Sequence, residues 1–360
     1  MRIISYLKDL SLKMKLQLHI VVFILCFFSL VLHAQVDIGM DYSNDTATIN
    51  DTYFTDLNNQ FILRFYGLYK TNNVNLVNAN ETLKYRPNGI YSIGIGFNYK
   101  FLGLGISYGA PLSETSKSKK GNTQRLDIQG SMISTSIGLD GFLQIYKGYY
   151  LSNPGDFTEW ENENYPQLPD MDVVTLGVNA FYIFNKSKFS YRAAFIGNQV
   201  QNRSAGSITA GLFGTFDQVK TDNGFVPADI IDSIQTDFDL KSFEAFTVGL
   251  SAGYLFTFVF GKGFYLSLAA IPGIGYRHFK VVALDNSQSN KDQFAVQLLG
   301  RIALGYTIKR FYINFNTLFN LRNYNYKSYE LELSSEQIRL TLGLRFQTKA
   351  SKKRNQYHPN

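Results

Sequence analysis

Apolar and polar residues alternate along most of this chain. In residues 246–258, FTVGLSAGYLFTF, apolar side chains occupy every second position, and Thr, Gly and Ser fill most of the others. The same pattern recurs in residues 294–308 and 311–322. A period of two is that of a β-strand, whose successive side chains point to opposite faces. One long apolar face opposed by a small, polar face predicts a barrel wall with lipid outside and a polar lumen inside.

The spacing of the connections predicts the topology. Short connections alternate with long polar segments, which lie at 111–122, 152–171, 218–241, 283–292 and 326–335. In outer-membrane barrels short turns face the periplasm and long loops face outward. We therefore predict an all-β fold, a transmembrane antiparallel up-and-down β-barrel of about twelve strands. The predicted strands lie near 60–70, 90–99, 102–110, 123–134, 137–150, 173–184, 203–217, 243–258, 264–281, 293–308, 311–325 and 337–347.

Two segments fit this scheme less directly. Residues 72–88 are assigned to the first outer loop. Residues 189–202, FSYRAAFIGNQVQN, are too long for a turn and weakly patterned. They either extend the seventh strand into the periplasm or fold inward as a partial plug.

A soluble β-sandwich or barrel would also alternate, with the apolar face as its core. Two features favour the membrane barrel. The predicted strands reach about ten residues or more, which is longer than usual for soluble sheets. Aromatic residues also cluster near the short turns, as in the interfacial girdles of membrane barrels. Examples are Phe97, Phe184, Phe264 and Phe346.

The N-terminus has the pattern of a targeting segment. Basic residues precede the apolar run LQLHIVVFILCFFSLVL at 16–32, and His33-Ala34-Gln35 follows it. This order predicts a cleavable signal peptide over 1–34, cut after Ala34, with an uncleaved anchor helix as the alternative. Met14 is an alternative start to Met1. The expected parts are the signal peptide at 1–34, a flexible periplasmic segment at 35–58, the barrel at 59–348 and a basic tail at 349–360, with the mature chain in the cell outer membrane.

Composition agrees with a wall between water and lipid. The chain is 45% hydrophobic, 15% aromatic and 18% charged. The low charged fraction argues against intrinsic disorder, and a mean hydropathy of −0.11 excludes a bundle of membrane helices. The net charge is +7, but the basic residues are scattered and form no recognition motif, so no nucleic-acid partner is expected.

Candidate chemistry is sparse. The only cysteine, Cys26, lies in the predicted signal, and the mature chain keeps two histidines, His278 and His358. His278 shares the outward face of its strand and is interpreted as an interfacial aromatic residue. Asp285 and Ser287 follow it without catalytic spacing. We therefore predict no catalytic residue, no metal site and no cofactor, and an outer-membrane lipid hydrolase or protease is the remote alternative.

Following the alternation inward predicts a cationic lumen. The inward charged residues are Arg64, Arg125, Asp127, Asp140, Arg277, Arg301, Arg322, Arg339 and Arg345. They form either a narrow pore or pocket for a small polar or anionic solute, or a side-chain plug that stiffens a closed barrel. The favoured function is a non-enzymatic pore, transport or ligand-binding barrel, monomeric and surrounded by outer-membrane lipid. The alternative is a structural scaffold that docks other envelope proteins.

Several short motifs resemble one family of proteins. They are KYRPN (84–88), GIGFNYKFLGLGISYG (94–109), QRLDIQG (124–130), GFLQIYKGYYL (141–151), FSYRAAF (189–195) and RSAGS (203–207). Together they resemble the outer-membrane proteins of Bacteroidota-type bacteria that are grouped as domain of unknown function 4421. The resemblance spans roughly residues 55–347. It implies an outer-membrane barrel and no assigned biochemical role.

Overall fold

The structure is a computed structural model that describes residues 52–57, 59–99, 102–234, 238–261, 263–308 and 310–347. The predicted signal peptide at 1–34 and the basic tail at 349–360 lie outside the described residues. Most of the predicted periplasmic segment at 35–58 lies outside them too.

Fifteen strands are present in the described ranges. In chain order β1 to β15 are Phe54–Asp56, Gln60–Val77, Thr82–Arg86, Tyr91–Tyr99, Leu102–Gly109, Gln124–Ile133, Ile137–Leu151, Gln167–Ile183, Gln199–Gln201, Ala205–Lys220, Leu240–Phe260, Phe264–Ala283, Gln288–Ile308, Phe311–Tyr326 and Tyr329–Gln347. Two short helices, α1 (Glu114–Lys120) and α2 (Tyr191–Phe195), and two 3₁₀ turns, Pro154–Asp156 and Ala228–Ser233, complete the elements. No helix in the described part of the chain is long and apolar enough to cross a membrane.

Antiparallel ladders join the strands into a closed barrel. Neighbours in the chain pair from β10 through β15, and β15 pairs with β2 over the full length of β2. The short β3 pairs with both β2 and β7 and closes a ring of ten strands. Strands β4, β5 and β6 lie below β3 and extend the sheet from β2 on one side and from β7 on the other. The predicted all-β antiparallel barrel is confirmed.

Three segments predicted as outer loops are largely strand. Strand β2 continues to Val77, and β3 lies inside the predicted loop 72–88. Strands β12 and β13 run through most of 283–292, and β14 and β15 run through most of 326–335. These strands of 20, 21, 16 and 19 residues exceed the ~9–11 residues that cross a bilayer. The polar residues of these segments led to the wrong prediction of loops, because a strand that rises above the bilayer no longer needs an apolar outer face.

The outer surface of the long strands is apolar and exposed, whereas the inner face is small or polar and buried. On β13, Phe294 is 72% exposed and Val296 is 62% exposed, while the intervening Ala295 is fully buried. On β11, Phe246 is 57% exposed and the neighbouring Thr247 is 2% exposed. An apolar belt around a polar interior is the arrangement that a bilayer requires of a barrel.

The two ends of the barrel are filled differently. The end that bears residues 110–123, 152–166 and 221–234 is called the loop end here, and the opposite end is called the turn end. At the loop end, aromatic and aliphatic side chains fill the interior as a buried core. Residues 221–234 and 238–239 close it by inserting Phe225, Ile230 and Phe238.

At the turn end, residues 189–202 fold inward and form a plug. The Asn98 amide donates to Ile196 O at 2.8 Å, and the Arg345 guanidinium donates to Gly197 O at 3.2 Å. Strand β9 of this segment pairs with β1, so part of the segment 35–58 that we expected to be flexible is a strand. Of the two alternatives for 189–202, the structure shows the inward fold.

Candidate ligand-binding chamber

A cavity of about 160 Å³ lies inside the barrel beside the plug. It is called the central chamber here. Its charged lining is mostly basic and comes from β2, β6, β13, β15 and the plug. The charged residues are Arg64, Lys70, Asp127, Arg192, Arg301 and Arg339.

Two of these arginines have no carboxylate partner. Arg64 donates through Nη2 to Leu104 O at 3.2 Å, and its Nε is buried without a hydrogen-bond partner. Arg339 lies over the Tyr66 ring at 5.1 Å, and its Nε is likewise buried and unpartnered. Neither forms an ion pair within the described ranges. Partly buried guanidinium groups that lack a counter-charge make the chamber attractive to an anion.

Two other basic residues of the chamber are paired with carboxylates. Lys70 Nζ lies 2.6 Å from Asp127 Oδ1, and the Tyr146 hydroxyl donates to the other oxygen of that carboxylate at 2.7 Å. Arg301 Nη2 lies 2.8 Å from Asp140 Oδ2. The charges of Lys70 and Arg301 are thus balanced, unlike those of Arg64 and Arg339.

The remaining predicted lumen residues lie elsewhere. Arg277 and Arg322 lie deeper toward the loop end, where Arg322 Nε is 3.1 Å from Asp217 Oδ2 and Arg277 stacks on Tyr324. Arg345 holds the plug. Arg125 lies at the edge of the barrel wall near β4.

The nine predicted residues therefore divide by position. Arg64, Asp127, Arg301 and Arg339 line the central chamber, and Asp140 borders it through Arg301. The other four, Arg125, Arg277, Arg322 and Arg345, are not brought to it.

Lys70 and Arg192 also line the chamber, although neither was predicted from the sequence. Lys70 continues the inward alternation of Arg64, so this residue was detectable at the end of the predicted strand. Arg192 belongs to the plug, where the sequence has no periodic signal to place it.

His278 lies outside the lumen and belongs to no catalytic-like cluster there. It is exposed on the outer face of β12, and its Nδ1 lies 2.7 Å from Asp292 Oδ1 on β13. In the turn between those strands, Ser287 N instead donates a hydrogen bond to Asp285 Oδ1. No group of three or more potential metal-ligating side chains occurs in the described part of the chain.

Residues 44–346 match the family described as "Domain of unknown function (DUF4421)". The chain belongs to this family. The motifs that resembled it are thus part of a match over most of the sequence, and the predicted family is confirmed. No curated protein matches this DUF4421 sequence.

Several solved barrel structures are distantly similar to this chain. The outer membrane protease OmpT from Escherichia coli is 8% identical, with 81% of this chain and 98% of that chain covered and a TM-score of 0.38. Neisserial surface protein A is 10% identical over 76% and 95%, with a TM-score of 0.25. The Pseudomonas putida toluene transporter TodX is 6% identical over 80% and 90%, with a TM-score of 0.26. Similarity at this level carries no argument about function.

Proposed function

We propose that this protein is an outer-membrane barrel that binds a small anionic solute in its central chamber and has no permanently open pore. The apolar outer belt supports the location. The observation that carries the function is the pair of partly buried arginines, Arg64 and Arg339, which line the chamber, have a buried Nε without a hydrogen-bond partner and form no ion pair among the described residues. A phosphate or carboxylate group supplies the bidentate acceptor that arginine favours.

The filled ends support binding over free conduction. Side chains of the wall and of residues 221–234 and 238–239 occupy the loop end, and the 189–202 plug occupies the turn end. A solute passing along the barrel axis would have to displace both. Transport through this barrel therefore requires movement of the plug, of the loop-end segment or of the wall.

Two measurements test this proposal. Protein in planar bilayers is expected to show no steady ion current, and a stable ohmic current would contradict the closed barrel. The second measurement is equilibrium binding of ³²P-labelled inorganic phosphate to the vesicle-embedded protein. Arg64→Gln with Arg339→Gln should weaken it by roughly tenfold or more, because each change removes a charge-assisted hydrogen bond. Arg203→Gln, at an exposed position, is the matched control.

A scaffold barrel is the second candidate function, and the plug favours it. A filled interior stabilises a rigid support without any need for a path through it. Strands β1 and β9 place a small sheet at the turn end, where an envelope partner could dock. Co-purification of a stoichiometric partner that is lost when residues 52–57 are deleted would support this function, whereas an unaccompanied protein would oppose it.

Cell fractionation tests the proposed location. The mature protein is expected in the outer-membrane fraction, with an N-terminus at Gln35 if the signal peptide is cut after Ala34. Recovery of the protein in the soluble fraction would contradict the membrane proposal.

A further inference from the structure

Strands β5 and β6 are consecutive around the barrel, but they do not form a ladder. β5 pairs with β4, and β6 pairs with β7. Among the described residues, no backbone hydrogen bond joins β5 to β6. The boundary between these strands is called the seam here. In the described part of the chain, the other boundaries at this level of the wall are joined by antiparallel ladders.

The seam edge of β5 is almost bare backbone. Ala110 N donates to Tyr91 O, which continues the β4–β5 ladder. In an antiparallel pair the bonding direction alternates from residue to residue. Residues 103, 105, 107 and 109 therefore direct their N–H and C=O groups toward β6, and three of the four are glycine. Residues 104–108 are all exposed, unlike the alternating residues of the long strands.

An open strand edge is not stable in hydrocarbon. Unpaired backbone groups occur at membrane depth only where they line a polar or water-filled cavity. The central chamber supplies such a cavity, since Gly103, Gly105 and Ser107 line it from β5 and Asp127 lines it from β6. The seam is thus tolerated because it opens inward onto polar groups.

Arg125 fastens the loop end of the seam. It starts on β6, crosses over β5 at Gly109 and donates to Tyr91 O at 2.8 Å and Ser92 Oγ at 2.6 Å on β4. A Cβ at Gly109 would lie 2.9 Å from the Arg125 guanidinium, so the glycine makes this crossing possible. The fastening consists of side-chain hydrogen bonds that are partly exposed, which are easier to open than a ladder.

A second cavity, of about 530 Å³, lies at this end of the seam. It shares Leu68, Lys70, Ser107 and Asp127 with the lining of the central chamber. It is also lined by Tyr108 and Leu126, which lie on the outer apolar face and are 83% and 42% exposed. The two cavities therefore lie side by side between the apolar exterior and the cationic interior.

We propose that the seam between β5 and β6 is a lateral gate through which the anionic head group of a single-chain amphiphile reaches the central chamber from the membrane. The proposal rests on the proposed anion binding and adds the route and the ligand class. The apolar rim, with Ile106 at 74% exposure beside Tyr108, faces the alkyl chain. Arg64 and Arg339 receive the phosphate or carboxylate.

The test uses the full mature chain in zwitterionic phosphatidylcholine nanodiscs. The probe is tetradecyl phosphate with a photoactivatable diazirine near the middle of its alkyl chain, and cross-linked residues are identified by mass spectrometry. We expect labelling to concentrate on Leu104, Ile106, Tyr108 and Leu126. The opposite wall, at Phe294 and Val296, provides the internal control for labelling by free probe in the bilayer.

Variants connect the labelling to the gate. Arg125→Ala removes the fastening and should speed seam labelling several-fold, whereas Arg203→Ala should leave it unchanged. Arg64→Gln with Arg339→Gln should reduce seam labelling by about tenfold or more. Heat-modifiable migration in gels verifies that each variant is folded, so a loss of labelling is not a loss of fold.

The outcomes separate the gate from the proposed function. Labelling spread evenly around the belt, with inorganic phosphate still bound through Arg64 and Arg339, overturns the lateral gate and leaves anion binding in place. Seam labelling that the arginine variant does not alter, without any phosphate binding, overturns anion binding in the chamber. Seam labelling that depends on the arginines and accelerates in Arg125→Ala supports both.

Discussion

The wall from β10 to β15 and the two seam strands, β5 and β6, follow the same sequence rule with different results. Both alternate apolar residues with small or polar ones. In β13, exposed Phe294 and Val296 alternate with buried Ala295 and Gln297. In β5, residues 104–108 are exposed on both faces. Alternation determines which face of the sheet each side chain points to. Burial of the inner face also requires a hydrogen-bonded strand on each side.

The charged residues of the two regions also differ, in whether each has a partner of opposite charge. In the long wall, Asp217 and Arg322 are almost completely buried and paired, with Thr175 and Tyr324 bonded to the same carboxylate. Beside the seam, Arg64 and Arg339 lack such a carboxylate. The first arrangement holds the barrel together, whereas the second leaves positive charge available to a ligand.

The largest expected effect comes from breaking the charge pair of the long wall. Asp217→Asn leaves the Arg322 charge buried without its counter-charge, which costs about 3–5 kcal/mol in comparable buried pairs. Chemical unfolding of the vesicle-embedded protein measures the change. Asp285→Asn, in the turn between β12 and β13, is the control and should have little effect. A loss below about 1 kcal/mol would mean that Arg322 is compensated by other groups.

A smaller loss is expected where a glycine makes room for an aromatic ring of the wall. A Cβ at Gly343 would lie 1.9 Å from the Tyr312 ring, which Gly197 and Arg345 hold from other sides. Gly343→Ala should therefore destabilise the barrel by about 1–3 kcal/mol. Gly67→Ala on the adjacent β2 has no atom within 4 Å of the new methyl group. Equal effects of the two substitutions in the same unfolding assay would refute this explanation.

Amide hydrogen exchange compares the two regions directly. The amides of Gly103, Gly105 and Ser107 point to the seam, while those of β13 are held in ladders on both sides. We expect the seam amides to exchange roughly tenfold to a hundredfold faster, as loss of a hydrogen bond of ordinary strength implies. Equal protection would show that β5 and β6 form a ladder in the membrane.

The smallest effect concerns residues 110–123, which line the second cavity at the loop end of the seam. Lys119 on α1 lies 2.8 Å from Glu163, and this contact lowers the pKa of the exposed Glu163 carboxyl. A carboxyl whose pKa is lower in the folded state contributes stability above its unfolded pKa and loses it as pH falls through the folded value. Limited proteolysis of residues 110–123 should therefore become slightly faster below about pH 4. Glu163→Gln should abolish that pH dependence, and Glu161→Gln should retain it.

Individual residues show how much of the candidate site could be predicted from the sequence. Alternation placed Arg64, Asp127, Arg301 and Arg339 on inward faces, and the structure brings them to one chamber. It did not predict that Asp217 pairs with Arg322, because these residues are 105 positions apart in the numbering and meet only when the ring closes. It also assigned 72–88 to a loop, because the polar residues of β2 beyond the bilayer resemble loop residues.

The sequence by itself determined the period of two, the apolar outer face and the family, because these depend on local order and on residue type. The closure at β3, the inward fold of 189–202 and the seam between β5 and β6 were decided by the tertiary structure. Their physical reason is pairing over long distances in the chain. Whether a strand edge finds a partner depends on the curvature of the whole ring, and no local pattern of side chains encodes it.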